Sequence, residues 1–365
     1  MLAISIVYAA YCIAMLSFLR AWHRIPVETE LASLAVSVVI PFRNEAKHVE
    51  RLVKGFASQE HPDFELIFVD DHSEDNGQEK LLKALNGKYL NFRLIELTDS
   101  EGKKAALTKG IAAARYPLIV TTDADCFMDK HWLQAMINPF KDEGVQMVSG
   151  PVSFIKHSLF ARWQAIEFQA LIAIGAAGIA RGRPTMANGA NLAFRKSAFQ
   201  KLDGYAHTAD TPSGDDEFLL SKVVRQWPKG VCFQKNKEAV VVTEAPLTWK
   251  ALKEQRIRWV SKWKKGGRKT TIQLAMLIAL MQVAQLALYV SFAFLEEYWP
   301  LALVLIGCRL MMEALLVYRS GKELDVSLPS IGLFVLSFIL YPFYSLYFAL
   351  LANFGSFEWK GRMYR

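Results

Sequence analysis

Two aspartates one residue apart, Asp123 and Asp125, directly follow an apolar run over residues 116–122. In an extended segment alternate side chains point to the same side, so both carboxylates can face one ion. Mg2+ takes carboxylate oxygens and keeps further positions for substrate phosphates. The pair therefore predicts a divalent-cation site that serves phosphate chemistry, whereas its alternative is a solvated turn or a helix cap.

The elements around this pair alternate between short apolar runs and amphipathic segments. Strands are expected over residues 34–41, 64–69, 92–97 and 117–122, with helices over 44–58, 76–86 and 102–114. This alternation predicts an α/β fold with a mostly parallel sheet. Ligands of such sheets bind beyond the carboxyl ends of the strands, where Pro41, Asp70 and Asp123 fall. We therefore expect three polar strand ends to converge on one crevice.

The common phosphate-binding signatures are missing from the sequence. It contains neither a Walker pattern nor G-x-G-x-x-G, which disfavours an ATPase or an ordinary dinucleotide-binding fold. Cys12, Cys126, Cys232 and Cys308 show no C-x-x-C spacing, so neither a zinc site nor a disulfide framework is indicated. The phosphates of a substrate must therefore be held in another way.

Both ends of the 365-residue chain predict membrane helices. Residues 1–19 carry no charge and precede Arg20 and Arg24, which favours an uncleaved anchor over 1–22. Three further apolar stretches occupy residues 271–295, 299–318 and 328–353. The third contains Pro342, which would kink a helix or divide it into a hairpin.

Arg309 and Glu313 lie four residues apart within the second of these stretches. At that spacing they share a helix face, so we expect them to pair inside a helix bundle or to face a wet cavity. A structural ion pair and a role near a substrate path are both open.

The net charge of +8 is concentrated beside the apolar stretches. Seven Lys or Arg and no acid occur between residues 255 and 269. With the arginines after the first stretch, this bias places residues 22–270 in the cytoplasm, and we expect the inner membrane of a bacterium. Because the charge flanks membrane segments, no nucleic-acid partner is predicted, although +8 alone would allow one.

Eight short strings along the central segment resemble one protein family, in the expected order. They are VSVVIPFRNE (36–45), FVDDHS (68–73), EGKKAAL (101–107), TTDAD (121–125), NGANLAF (188–194), SGDDEFL (213–219), TEAP (243–246) and QRIRW (255–259). The set resembles the membrane-bound family 2 glycosyltransferases of the D/D/D/QxxRW type, which have the GT-A fold and include cellulose, chitin and hyaluronan synthases and ceramide glucosyltransferase. The likeness spans nearly all of residues 36–263.

The resemblance implies an organisation for the whole chain. It gives an N-terminal transmembrane helix (1–22), a cytoplasmic GT-A nucleotide-sugar-binding domain (34–265), about three C-terminal transmembrane helices (270–354) with a break at Pro342 as one alternative, and a basic tail (355–365). Residues 157–181 predict a mostly apolar, weakly amphipathic helix. This helix either lies on the membrane at the acceptor entrance or is a buried core helix.

By the resemblance, the nucleotide of a UDP-sugar donor lies against the first two strand ends. Asp71 would accept a hydrogen bond from the uracil ring, with Asp70 beside it. Pro41 and Arg43 would wall the base, and Glu45 lies on the same donor-binding side. Capping of the next helix is the alternative role of Asp70.

The donor's diphosphate is expected to meet Lys103 and a divalent cation, Mg2+ or Mn2+. Lys103 would pair with the anionic donor by charge, and Lys104 is expected to be solvated. Asp125 would coordinate the cation, and Asp123 would contact the ribose or the same ion. The cation would act chiefly as a Lewis acid for the charge that builds on the departing UDP.

Asp215 and Asp216 are the candidates for the base that accepts the proton of the acceptor hydroxyl. Matching the string 213–219 to the family's acidic pair favours Asp216, and shifting the match by one residue would choose Asp215. One base, one metal and no residue placed as a nucleophile on the sugar favour a single displacement with inversion. A helix cap is the alternative role of one member of the pair.

Residues expected on the acceptor and diphosphate side come from two strings. Arg258 is placed to meet the diphosphate and Trp259 to stack on the sugar or the acceptor. The others are Asn188, Asn191, Gln255 and Arg256. A turn would also explain the asparagines, and a positive flank beside a membrane helix would explain part of the second string.

The acceptor is expected to be a membrane lipid or lipid-linked molecule. About four spans offer little material for a polysaccharide channel, and the tail FEWKGRMY (357–364) resembles tails of enzymes that glycosylate lipids and carotenoids. One alternative is a small processive synthase of the hyaluronan, chitin or poly-N-acetylglucosamine type, and a remoter one is a non-catalytic nucleotide-sugar binder. Four spans would leave the basic tail outside, whereas a hairpin at Pro342 would return it to the cytoplasm.

Overall fold

The computed structural model describes residues 1–28, 32–206, 214–264, 269–354, 357–359 and 362–364. Ser213, residue 265 and part of the predicted basic tail lie outside the described residues. The helices are α1 Leu2–Arg24, α2 Val49–Ala57, α3 Gly77–Leu85, α4 Lys103–Ala113, α5 Trp132–Ile137, α6 Leu159–Ala180, α7 Lys196–Lys201, α8 Asp215–Gln226, α9 Trp249–Lys264, α10 Lys269–Phe294, α11 Trp299–Glu323 and α12 Ile331–Phe354. The strands are β1 Val36–Phe42, β2 Phe64–Asp70, β3 Phe92–Glu96, β4 Leu118–Thr121, β5 Phe127–Met128, β6 Met147–Ser149, β7 Val152–Ile155, β8 Leu192–Arg195, β9 Val231–Phe233, β10 Val241–Glu244, β11 Phe357–Trp359 and β12 Arg362–Tyr364.

A seven-stranded sheet in the order β3-β2-β1-β4-β8-β6-β9 forms the centre of the domain. Neighbouring strands are parallel except at β8, which runs antiparallel to both β4 and β6. The strands are rich in β-branched and aromatic residues, and every residue of β1, VSVVIPF, is buried. The predicted α/β fold with a mostly parallel sheet is confirmed.

Helices cover both faces of this sheet. Side chains alternate along β1, so Val38 and Ile40 pack with Phe56 of α2 in one core, while Val39 packs with Leu107 of α4 in the other. Because both faces are closed, a ligand has access to the carboxyl ends of the strands. A smaller sheet, in the order β5-β10-β7, brings β10 and its final residue Glu244 to the same region.

Five helices are long and apolar enough to cross a membrane: α1, α6, α10, α11 and α12. The sequence predicts four of them as spans. The fifth, α6, has 72% of its most apolar window buried, against 22–33% for the other four. It packs against α1 and α11 on one side and β7 on the other, so the structure favours the buried-core alternative for this helix.

The predicted pairing of Arg309 with Glu313 is confirmed. Arg309 is fully buried, and its Nε lies 2.8 Å from Glu313 Oε1. Its Nη2 donates to Gln282 Oε1 at 3.1 Å, and Tyr11 donates to the same Glu313 oxygen at 2.7 Å. A charge buried among apolar helices is tolerated when its donors are satisfied in this way.

Helix α12 passes through Pro342 without a break, so the hairpin alternative is wrong. Both of its ends nevertheless meet the α/β domain. Just before its start, Lys156 of the domain donates to the carbonyl of Ser327. Towards its end, Phe348 packs on Trp249 of α9 with ring centroids 5.8 Å apart, and β11 beyond it also contacts α9.

These contacts predict the side of the membrane on which the chain ends. A reporter fused after Arg365 is expected on the same side as one inserted at the exposed turn at Gly87, because both ends of α12 are held to the α/β domain. Labelling of the two fusions with a membrane-impermeant reagent measures this directly. Opposite accessibility of the two reporters would contradict the arrangement of α12.

Candidate active site

A cleft of about 220 Å3 opens at the carboxyl ends of β1, β2 and β4. Thirteen of the predicted site residues line it: Pro41, Arg43, Glu45, Asp71, Lys103, Asp123, Asp125, Asn188, Asp215, Asp216, Gln255, Arg258 and Trp259. They come from strand ends, the start of α4, the start of α8 and the middle of α9. Residues that lie far apart in sequence therefore form one site, as the strand-end argument predicts.

Lys103 connects two acidic parts of the cleft. Its Nζ lies 2.6 Å from Asp123 Oδ1 and 3.7 Å from Asp215 Oδ2. Burial by itself lowers the pKa of Lys103, but Asp123, Asp215 and Asp216 together raise it above its ordinary value. The side chain is therefore a permanent cation between the D-x-D pair and the start of α8.

Asp215 and Asp216 are the first two residues of α8. Asp216 Oδ2 accepts from Gly189 N at 3.1 Å, and its Oδ1 accepts from Glu217 N at 2.8 Å. A Cβ on Gly189 would lie 2.8 Å from Asp215 Oδ2, so only glycine allows the 188–191 turn to approach this carboxylate. The helix N-terminus and these backbone amides stabilise the two neighbouring negative charges.

The loop after β2 is fixed by hydrogen bonds to the cleft. Asp71 Oδ1 accepts from Gly102 N at 2.9 Å, and Arg43 donates to the Asp71 carbonyl at 2.9 Å and to Glu74 at 2.9 Å. Next to it, Glu45 lies 2.5 Å from His48 Nδ1, and this hydrogen bond raises the pKa of His48 against the effect of burial. This side of the cleft is therefore preformed by short-range polar contacts.

Among the described residues, seven carboxylates and three cationic side chains line the cleft. In the part of the chain that the structure describes, no three His, Cys, Asp or Glu side chains are grouped as a metal site by themselves. Mg2+ commonly takes one or two carboxylates together with substrate phosphates and waters. Asp125, whose Oδ2 accepts from Thr243 at 3.2 Å, and the half-exposed Asp123 therefore fit a cation that is completed by a phosphate ligand.

Two predicted residues point away from the cleft and have structural roles. Asp70 accepts from Ser73 N at 3.2 Å and from Gln78 at 2.5 Å, so it holds the loop that leads into α3. Asn191 is fully buried, and its amide donates to the carbonyls of Pro151 and Ala239, both at 2.7 Å. Asp70 does not cap α3, whose N-cap is Asn76, but stabilises the loop before it, and the turn alternative describes Asn191 better than ligand binding does.

Arg256 also points away from the cleft, towards the helix bundle. Its Nη2 lies 2.6 Å from Glu167 Oε2 on α6, and its Nε donates to Tyr344 of α12 at 2.8 Å. It also donates to Gln255 Oε1 at 2.7 Å and stacks on Trp259 at 4.4 Å. Arg256 thus attaches two cleft residues to α6 and α12, and we call these contacts the α9 anchor.

Some residues of the site were not predicted from the sequence. Phe154 and Phe168 stack with centroids 4.2 Å apart and wall the cleft beside Trp259. Glu167 precedes Phe168 and is the only acid within α6; the sequence identifies it as one of the polar residues at one end of the 157–181 helix, but not its pairing with Arg256. Lys104 is buried over the ring of Phe218 at 4.4 Å, so the expectation of a solvated side chain is wrong.

The sequence matches a known family and several curated relatives. The family described as Glycosyl transferase family 2 matches residues 37–203. Glycosyltransferase AglE of Haloferax volcanii is 29% identical over 121 residues, which cover 33% of this chain and 40% of that protein. Poly-beta-1,6-N-acetyl-D-glucosamine synthase of Staphylococcus epidermidis is 26% identical over 244 residues, 65% of this chain and 56% of that protein. The chain thus spans about half the length of these relatives.

A solved structure shares the fold of this protein over nearly the full chain. The mannosyltransferase PcManGT from Pyrobaculum calidifontis, solved with GDP-Man and Mn2+, superposes with a TM-score of 0.59 at 18% identity. The superposition covers 96% of this chain and 98% of that one. The shared architecture is the GT-A fold, which confirms the predicted fold class.

The α9 anchor makes a prediction about stability. Replacing Glu167 by Ala leaves the buried Arg256 without its carboxylate, so we expect a loss of about 3 kcal/mol and a lower midpoint of thermal unfolding. Lys130→Ala is the matched control, because Lys130 and its partner Glu60 are half exposed and their pair should contribute little. Equal midpoints for the two variants would show that the anchor does not stabilise the fold.

Proposed function

Because the chain is a family 2 glycosyltransferase, with the family domain over residues 37–203, we propose that it transfers a sugar from a UDP-sugar to a membrane lipid or lipid-linked acceptor with inversion. The observation that carries the proposal is Lys103, which lies between the D-x-D pair and the acidic start of α8 in one cleft. The candidate metal ligands and the candidate catalytic base therefore line the same cleft.

The donor lies along the carboxyl ends of the first strands in this proposal. Asp71 accepts a hydrogen bond from the uracil, and Pro41 and Arg43 bound the base. Lys103 and Arg258 face the diphosphate from two sides, and both are cations that pair with phosphate oxygens. The diphosphate adds negative charge to a cleft that already has more carboxylates than cations, so a divalent cation is needed to neutralise both.

Asp125 and Asp123 hold Mg2+ or Mn2+ together with the diphosphate. When bound, the cation stabilises the negative charge of the leaving UDP as a Lewis acid. Support for this role comes from the carboxylate-rich lining and from the solved GT-A neighbour, which contains Mn2+.

The transfer is a single displacement. The acceptor hydroxyl oxygen forms a bond to the anomeric carbon, the bond from that carbon to the UDP oxygen breaks, and its electron pair leaves with UDP. The hydroxyl proton passes to Asp216, which backbone amides of Gly189 and Glu217 orient. Asp215 pairs with Lys103 and is the second candidate for this role.

The acceptor side faces the membrane helices. Gln255 and Trp259 line the cleft and belong to α9, which the α9 anchor joins to α6 and α12. An acceptor can thus approach from the bilayer, with the catalytic domain on the cytoplasmic side of a bacterial inner membrane. A processive synthase is the second candidate, favoured by the relative that is named a poly-N-acetylglucosamine synthase.

Asp216→Asn tests the base. We expect transfer to fall about 10²–10⁴-fold, because the amide cannot accept the proton, while UDP affinity changes little. The matched variant Asp215→Asn should weaken transfer less and alter UDP binding more, since Asp215 contacts Lys103. Release of labelled sugar from UDP-sugar and titration with UDP measure the two effects. A fully active Asp216→Asn enzyme would refute the assignment, and the reverse ranking would transfer the role to Asp215.

Metal removal tests the donor site. Chelation with EDTA is expected to abolish transfer, and added Mn2+ or Mg2+ should restore it. Asp125→Asn should raise the metal concentration required for half-maximal activity, because it removes a carboxylate ligand. Transfer by the metal-free enzyme at the wild-type rate would contradict the proposal.

A further inference from the structure

A second cavity of about 100 Å3 lies inside the helix bundle, next to the cleft. Its walls are apolar side chains from α1, α6, α10, α11 and α12, among them Met15, Ile174, Ile278, Leu316 and Phe338. Helices that are apolar enough to cross a membrane enclose it on several sides. Such a narrow apolar space suits a hydrocarbon chain.

One buried hydrogen-bond acceptor in the wall of this cavity lacks a partner among the described residues. Gln164 is 1% exposed, and its Oε1 has no hydrogen-bond partner among the described residues, although its amide donates to Pro246 O at 2.9 Å. The carboxylates of Glu167 and Glu313 also line the cavity. A buried acceptor without a donor costs free energy, so a ligand that supplies an O–H or N–H group is favoured here.

Among the described residues, no uncommitted positive charge is available to a ligand in this cavity. None of the described residues that line it is Lys, Arg or His. The two nearby guanidinium groups are already paired, Arg256 with Glu167 at 2.6 Å and Arg309 with Glu313 at 2.8 Å. A lipid phosphate would therefore meet two carboxylates and no uncommitted cation.

We infer that the bundle cavity binds the hydrocarbon chain and hydroxyl-bearing neck of a neutral lipid acceptor, not a lipid phosphate. The inference rests on the proposed function and narrows its acceptor to a class. The apolar walls take the chain, and the hydroxyl of the neck donates a hydrogen bond to Gln164 Oε1. Glyceride-like or ceramide-like lipids have this chemistry.

The cavity and the cleft share one wall. Glu167 lines the cavity, and Phe168, the next residue of α6, lines the cleft. Glu167 also holds Arg256, which in turn contacts Gln255 and Trp259. A lipid in the cavity therefore touches the α9 anchor, and a hydroxyl held by Gln164 lies near Pro246, two residues after the cleft residue Glu244.

The acceptor class can be tested with the purified full chain in nanodiscs. Radiolabelled UDP-sugars are supplied with either dioleoylglycerol or a polyprenyl phosphate as acceptor. We expect kcat/KM to be at least tenfold higher with dioleoylglycerol. A preference for the polyprenyl phosphate would overturn the inference and leave the proposed lipid transfer intact. Label that enters only a polymer, or no release of UDP, would instead refute the proposed function.

Two variants test whether the lipid binds in the bundle cavity. Ala170→Phe and Ser337→Leu each add volume to the cavity wall and are expected to raise the KM for dioleoylglycerol at least tenfold, with a smaller effect on kcat. Ala279→Phe makes the same change as the first variant on the exposed face of α10 and should keep KM within twofold. UDP affinity reports folding of each variant. Wild-type KM in both cavity variants, when they bind UDP normally, would place the lipid elsewhere.

Discussion

The surplus of negative charge in the cleft is the constraint on which the rest of the structure depends. Carboxylates that follow β1, β2 and β4 line one cleft with others from β10 and α8, and neighbouring like charges destabilise one another. The structure offsets the repulsion with the Lys103 bridge, with the N-terminus of α8 and with Arg258 from α9. The remaining negative charge gives the cleft an affinity for a divalent cation, which would let an anionic diphosphate bind beside these carboxylates.

Much of this site could be predicted from the sequence, because the spacing of apolar residues specifies the strands and helices, and the polar residues at the strand ends mark the site. Apolar runs specify parallel strands, and polar residues at their carboxyl ends must then converge. On α9, Gln255, Arg258 and Trp259 are three and four residues apart and share a face, whereas Arg256 lies on another face. The spacing therefore explains why Arg256 does not line the cleft, although the resemblance to the family assigns it to the site.

Other features depend on contacts between distant segments, which no local pattern specifies. Adjacent residues of a strand point to opposite sides, so Asp70 and Asp71 cannot both face the base, but the sequence does not show which one does. The pairing of Glu167 with Arg256 joins residues 89 positions apart. Likewise, α12 stays continuous at Pro342 because neighbouring helices support it, which a rule about proline alone does not foresee.

The α9 anchor also couples the cleft to two apolar helices. Tyr344 of α12 and Glu167 of α6 both hold Arg256, and Arg256 holds Gln255 and Trp259. A shift of α6 against α12 would therefore move Gln255 and Trp259, so the shape of the cleft would follow the packing of helices outside it.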